Sequence, residues 1–246
     1  MITRRTSITL TAKGVAALMA LGPHLSACRG PRVSQGKGLI GGGPALSSGA
    51  GGLDWEIFIA QLARLAAEQF SPTWNQETHV QEVIALMRML SLDDAIFERL
   101  YDGYAKASGS FPEIQAAHAQ REFKVVTVEF KPGDAIPLHN HPDMTGVIFC
   151  LSGQIHIEAF DLQTKPSPSG KLQIKRRADQ LLKPGEFSTL TAQRGNIHAL
   201  QATEHTELLD IFTPPYDPER FTRYRVYQRS EAPIAGEDIY EAWETQ

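Results

Sequence analysis

Cysteine is almost missing from this chain: Cys28 and Cys150 are the only two in 246 residues, and their contexts differ too much for a structural disulfide. The fold must therefore stand on its apolar core. An excess of positive charge is missing too. With 24 Lys plus Arg against 28 Asp plus Glu, the chain carries no electrostatic footprint for nucleic acid. The short basic cluster Lys175-Arg176-Arg177 reads as a solvated face. Long hydrophobic runs are also lacking, since the apolar stretch from Gly14 to Gly22 falls far short of the ~20 residues that span a bilayer as a helix. What remains, 42% hydrophobic and 21% charged, fits a globular protein with one principal domain.

Residues 1–28 read as an export signal: Arg4 and Arg5 give a positive start, an apolar stretch follows, and Leu25-Ser26-Ala27-Cys28 supplies a small-residue cleavage region. That last segment resembles the lipobox of bacterial lipoproteins, which implies a lipid anchor on Cys28 and a membrane-attached protein on the periplasmic side. Thr3-Arg4-Arg5-Thr6-Ser7-Ile8 looks like a twin-arginine signal, although Ser7 stands where a bulky apolar residue is commoner. If the segment is not a signal, the protein is cytoplasmic. Cleavage before Cys28 leaves 21 basic against 28 acidic side chains, a net charge near −7, so attachment would rest on lipid rather than on charge. Residues 29–52 are a Gly/Ser-rich tether too poor in apolar side chains to fold. As a flexible coil it would hold the domain on the order of 25 Å from the membrane.

From residue 53 to 122 the apolar spacing is helical: Trp55, Phe58, Ile59, Leu62 and Leu65 follow a potential cap at Asp54, a second periodicity runs from His79 to Leu90, and Ser91-Leu92-Asp93-Asp94 resembles a capping box opening a third helix. Beyond residue 122 the pattern changes to short apolar runs at 123–130, 145–151, 154–160, 171–174, 187–191, 197–202, 206–212 and 222–228, punctuated by Gly and Pro. About eight such strands predict a double-sheet jelly roll over 123–230, so the fold class is α+β with a β-barrel preceded by helices. Residues 231–246 read as an acidic, loop-like tail apart from Ile239 to Trp243. Cys150, inside the run Val147 to Leu151, reads as a small buried hydrophobe.

His139 and His141 stand one residue apart on an extended segment, where a period of two points both imidazoles to one side. His198, entering another strand after the turn Gln193-Arg194-Gly195-Asn196, is the third candidate ligand, and three ligands suffice for a catalytic metal that keeps positions open. His156 alternates with Ile155 and Ile157 and should face away from what they bury; His24, His79, His118 and His205 have no ligand-like neighbours.

The spacing Gly133-x5-His139-x-His141-x11-Gly153 with a later Gly195-x2-His198 resembles the two motifs of the cupin superfamily, which implies the double-stranded β-helix fold and makes His198 the partner of the histidine pair. Many cupins place a glutamate ligand four or five positions after the second histidine; Thr145 and Gly146 occupy that place here. Three neutral imidazoles leave the charge of a divalent ion uncompensated, which favours an anionic ligand such as a thiolate. Bottom-up, this reads as a three-histidine non-haem iron site.

Two further segments, Pro137 to Thr145 with Leu151 to Ile157, and Leu209-Asp210-Ile211-Phe212-Thr213-Pro214-Pro215-Tyr216-Asp217, resemble the plant cysteine oxidase and cysteamine dioxygenase family of thiol dioxygenases over roughly residues 55 to 228. Asp143 stands where that family usually has glycine, and Gln193 where proline is common. The resemblance implies a monomeric enzyme that adds both atoms of O2 to a small aminothiol or an N-terminal cysteine, giving a sulfinic acid. Fe(II) would be held by His139, His141 and His198, with Asp210 and Tyr216 as the catalytic pair. The carboxylate would orient an amine or a histidine, and the phenol would bond bound oxygen or substrate. A cupin enzyme with a non-thiol substrate and a non-catalytic metal-binding module stay open as alternatives.

Overall fold

A computed structural model describes residues 52–69, 71–92, 112–163, 170–216, 224–234 and 238–245. The signal, the tether up to residue 51 and the third helical segment beyond residue 92 lie outside the described residues. Helix α1, Trp55–Ala67, starts where the Asp54 carboxylate accepts the Ile57 amide at 2.8 Å; helix α2, Gln76–Met89, starts where Asn75 accepts that of Thr78 at 3.0 Å. Each cap satisfies an amide that the first turn leaves unpaired. Among the described residues, no helix is long and apolar enough to cross a membrane.

Eleven strands follow: β1 Glu113–Ala119, β2 Lys124–Phe130, β3 Ala135–Asn140, β4 Thr145–Ser152, β5 Ile155–Leu162, β6 Lys171–Leu182, β7 Phe187–Leu190, β8 Ile197–Ala202, β9 Thr206–Thr213, β10 Val226–Arg229 and β11 Ile239–Thr245. One antiparallel sheet runs β1-β2-β9-β4-β7; the other runs β10-β11-β6-β5-β8-β3 and closes on itself through β10 and β3. The result is the jelly-roll barrel with helices ahead of it. Two stretches differ from their sequence reading. Strand β1 lies in the segment read as helical, because Glu113 to Ala119 has no helical apolar face and pairs along β2 instead. Strand β11 lies in the segment read as a tail, where Tyr240 and Ala242 are buried as it pairs with β6 and β10.

The first sheet is buried on both sides. Val125, Val147, Leu209 and Ile211 face the helices, packing with Phe58, Leu62, Val80 and Met87; Val126, Val128, Ile148, Leu208 and Phe212 face the other sheet, packing with Ile155, Ile157 and Leu200. Double burial accounts for near-continuous rather than alternating apolar runs in β2, β4 and β9. Cys150 lies in the inter-sheet core, where burial pushes its thiol up to about 11 and makes it inert at neutral pH.

Helix α2 also buries His79, whose Nε2 has no hydrogen-bond partner and whose pKa burial lowers from 6.5 to about 4. The unfolded chain takes up this proton near pH 6.5 and the folded chain only near pH 4, so stability falls as pH drops through that window. In paired urea titrations at pH 7 and pH 4, His79→Leu should remove about 3 kcal/mol of the wild-type loss. Other titrating groups cancel in the comparison, and equal losses in the two proteins would contradict it.

Candidate metal centre

His198 projects from β8 on the same side as Leu200 and Ala202, which lie in the inter-sheet core, as a period of two requires. Directly across the ladder it pairs with His139 of β3. His139 reaches that side by an irregularity. Ile136 pairs with Leu200 and His139 with His198, so β3 uses one residue more than β8 between the two pairs. This bulge at Pro137 and Leu138 turns Leu138 toward the cluster it shares with Ile197 and Tyr227 and brings His139 back to the inner side. His141 lies just beyond the strand end, in a turn closed by the Met144 amide donating to the His141 carbonyl at 3.3 Å, with Asp143 at φ 56°. Positions 139 and 141 point their rings to one side, as their spacing predicts; the bulge ahead of them decides that this side is the inner one.

They meet closely. Nε2 of His139, His141 and His198 lie 3.0, 2.9 and 3.1 Å apart in a nearly equilateral triangle, and all three residues are buried. The outer ring nitrogens settle which atom carries the proton. His139 Nδ1 donates to the Pro137 carbonyl at 2.8 Å. The Tyr216 hydroxyl donates its single hydrogen to the Asn140 carbonyl at 2.8 Å, so at the 2.9 Å contact between them His141 Nδ1 is the donor and Tyr216 the acceptor. Both rings therefore present an Nε2 lone pair to the centre of the triangle. Burial holds His139 neutral down to about pH 4, and burial with mutual repulsion holds His141 and His198 well below the usual imidazole range.

Three convergent Nε2 atoms at this spacing suit a cation. His139, His141 and His198 would hold one such ion between them, and three protein ligands suffice for a metal that keeps positions open to substrate. Among the described residues no carboxylate joins this cluster. At the place where many cupins have glutamate, the Thr145 hydroxyl instead donates to the Thr213 carbonyl at 3.0 Å, and a Cβ on Gly146 would press on the Leu190 side chain at 3.0 Å.

Of the remaining expected site residues, Tyr216 flanks the triangle and Asp210 lies in the inter-sheet side of β9. Asp210 sits mid-strand in β9, paired with Val126 and Ile148, on the side it shares with Leu208 and Phe212. It is buried, its Oδ1 has no hydrogen-bond partner, and burial raises its pKa well above the carboxylate range. Tyr216 packs its ring 5.3 Å from that of His141. The Phe212 ring stacks on His141 at 5.3 Å, and Tyr224 lies against His139 at 5.0 Å with its buried hydroxyl unpartnered. Tyr224 and Asn196 were not singled out from sequence. Tyr224 carries no spacing signal, whereas Asn196, two residues before a ligand on a tight turn, could have been noticed. His156, as expected, faces out, paired with Asp179 at 2.5 Å. Arg176 and Arg177 are tied in surface ion pairs to Asp179, Asp238 and Asp161.

Known proteins resemble this chain over part of its length. Plant cysteine oxidase 2 of Arabidopsis thaliana is 34% identical over 118 residues, covering 45% of this chain and 43% of that protein. The 2-aminoethanethiol dioxygenase of Mus musculus is 32% identical over 110 residues, covering 36% of this chain and 43% of that protein. The matched stretch thus spans less than half the length of these curated relatives. A solved protein from Klebsiella pneumoniae with a double-stranded β-helix domain is 16% identical, with a TM-score of 0.38, over 51% of this chain and 91% of that one. A family model, PCO_ADO, matches residues 90–243. That match takes in more than half of the chain, all three histidines and the Asp210 to Tyr216 element, and the chain belongs to this family of cupin thiol dioxygenases.

Proposed function

We propose that the protein is an Fe(II)-dependent dioxygenase that adds both atoms of O2 to the sulfur of a small aminothiol, or of an N-terminal cysteine, to give a sulfinic acid. The observation that carries this reading is the triangle of three neutral, buried imidazoles with no carboxylate in the cluster among the described residues. His139, His141 and His198 would hold the ion, whose Lewis acidity favours the thiolate over the thiol and whose one-electron couple lets it react with dioxygen. The reaction balances without a reductant: the thiol proton ends on the sulfinic acid, and both oxygens of one O2 end on sulfur.

The chain's own groups divide the remaining work. Asp210, with an unsatisfied oxygen on the inner face, is the seat for the substrate's ammonium, because a buried acceptor without a partner otherwise costs about 1–3 kcal/mol. Tyr216 acts through His141. Its hydroxyl is committed to the ring and to a carbonyl rather than to substrate, which moves it from the substrate-bonding role implied by family resemblance to one of orienting a ligand. Phe212 and Tyr224 wall off two of the rings from water. We also propose export, with Cys28 as lipid anchor; mass analysis of membrane-extracted protein should find a diacylglyceryl group on it.

The activity is tested by loading the protein with Fe(II) without oxygen, adding cysteamine or a Cys-initiated peptide, and following oxygen uptake with mass analysis of the product. A gain of two oxygens is expected, and no uptake with any thiol would sink the reading. Tyr216→Phe leaves His141 Nδ1 without its acceptor and should weaken Fe(II) binding about 10–100-fold. An unchanged metal affinity would show that the hydroxyl does not act through His141.

A further inference from the structure

The two ligand motifs lie far apart in sequence, and one side chain joins them. Asn196 is buried in the loop ahead of β8, and its amide reaches across to the turn that carries His141. Its Nδ2 donates to the His141 carbonyl in a very short contact and to the Thr191 carbonyl at 3.2 Å. The His141 amide is shared between the Asn196 carbonyl at 3.1 Å and Asn196 Oδ1 at 3.4 Å. Two donors and an acceptor on one short planar group are what this place uses. Aspartate has the shape but no donors, and it would face two carbonyls with its charge.

The loop around Asn196 is fixed from outside as well. The Thr191 hydroxyl accepts the Arg194 amide at 3.1 Å, Gly195 donates its amide to Asp161 Oδ1 at 2.7 Å, and the Ala192 amide donates to Gln76 Oε1 at 2.9 Å. Arg194 forms a two-pronged pair with Glu77 at 2.8 and 2.6 Å, which ties the start of α2 to the same loop. That pair is partly exposed, whereas the Asn196 amide is sealed in beside the metal ligands.

We infer that Asn196 is a positioning residue: its amide locks the turn bearing His141 to the loop delivering His198, so that ligands from two separate motifs hold one fixed triangle. The inference rests on the three histidines binding a metal, not on the identity of the thiol. It predicts that weakening the amide loosens the metal without unfolding the barrel, since the ladders of β3 and β8 do not pass through this side chain.

The test uses Co(II), whose visible bands report ligand geometry without turnover, titrated into metal-free full-length protein. Asn196→Asp and Asn196→Ser should bind Co(II) about 10–100-fold more weakly than wild type, with altered band positions. Their metal-free thermal transitions should stay cooperative. Glu77→Gln, which weakens the partly exposed pair with Arg194 and keeps an amide oxygen to accept from the Thr191 hydroxyl, should change affinity less than about threefold. Wild-type affinity and bands in both Asn196 variants would overturn the inference, as would loss of the fold in both before metal is added. A loss in Glu77→Gln equal to that in Asn196→Asp would assign the positioning to the outer clamp instead. Wild-type protein that takes up no Co(II) would sink the metal reading and this inference with it; tight wild-type binding with unchanged variants sinks this inference alone.

Discussion

His198→Ala is expected to bring bound metal to background and oxygen uptake down by more than about 100-fold. Loss of an outer partner of a metal ligand already costs about 10–100-fold, and here a ligand itself is removed. Three imidazoles form the whole cluster among the described residues, so the cluster holds no fourth group to take the place. The position also makes a clean experiment. His198 lies within β8, laddered to His139 on one side and Ala159 on the other, and alanine keeps both ladders. Its ring contributes buried nitrogens crowded against two others at 2.9 and 3.1 Å, so the metal-free protein loses little by giving it up. Metal analysis, with and without added Fe(II), should show near one metal per wild-type chain and none in the variant. Melting of the metal-free forms should be nearly equal, while the rise in melting temperature on adding metal, a mass-action effect of binding to the folded state, should vanish. A variant that still holds metal and turns over would mean that the triangle is not the site.

Gly153→Ala should be the most damaging single methyl in the barrel. Gly153 has φ 72°, and a Cβ there would lie 2.0 Å from the His205 carbonyl oxygen and 2.8 Å from the Thr206 Cα. Those are backbone atoms, which no rotamer change relieves. The same Cβ would meet Thr206 Oγ1 at 2.6 Å, the hydroxyl that holds both the amide and the carbonyl of Gln154. Left-handed backbone alone costs an alanine about 1–2 kcal/mol; the added clash should carry the loss past about 4 kcal/mol. Gly133→Ala is the matched control. Its φ is 88°, but nothing lies within 4 Å of the new Cβ, so only the conformational cost of about 1–2 kcal/mol applies. Urea midpoints of the two variants should separate accordingly, and equal losses would contradict a steric role for Gly153. Gly195, at φ 63° with ordinary contacts from 3.5 Å, should resemble Gly133.

These glycines show how the sequence was legible. Their spacing around the histidines located the barrel, yet spacing alone could not separate a residue chosen for backbone freedom from one chosen also for room. His139 and His141 followed from a period of two, and His198 from its place after the Gly195 turn that opens β8. The bulge at Pro137 and Leu138 did not show in the sequence, and only the pairing of Ile136 with Leu200 and His139 with His198 reveals the extra residue. Asp210 stands out as part of a motif, but its direction depends on which face of a doubly buried strand meets the other sheet. Leu208 and Leu209 look alike in sequence and face opposite ways. Strand β1 has weak apolar character, and β11 owes its place to pairing with β6 across a long separation, which no local pattern encodes. Asn196 and Tyr224 act through contacts with residues some 55 and 85 positions away in the chain.

Sulfur oxygenation is tested most directly by following the oxygen atoms. Iron-loaded protein turns over cysteamine, and in parallel a Cys-initiated peptide, under heavy-isotope O2 in ordinary water, and the product is weighed by mass spectrometry. The expected product is a sulfinic acid carrying two heavy oxygens from a single O2, formed one for one with the O2 consumed. Product with one or no heavy oxygen, or disulfide as the sole product, would contradict it.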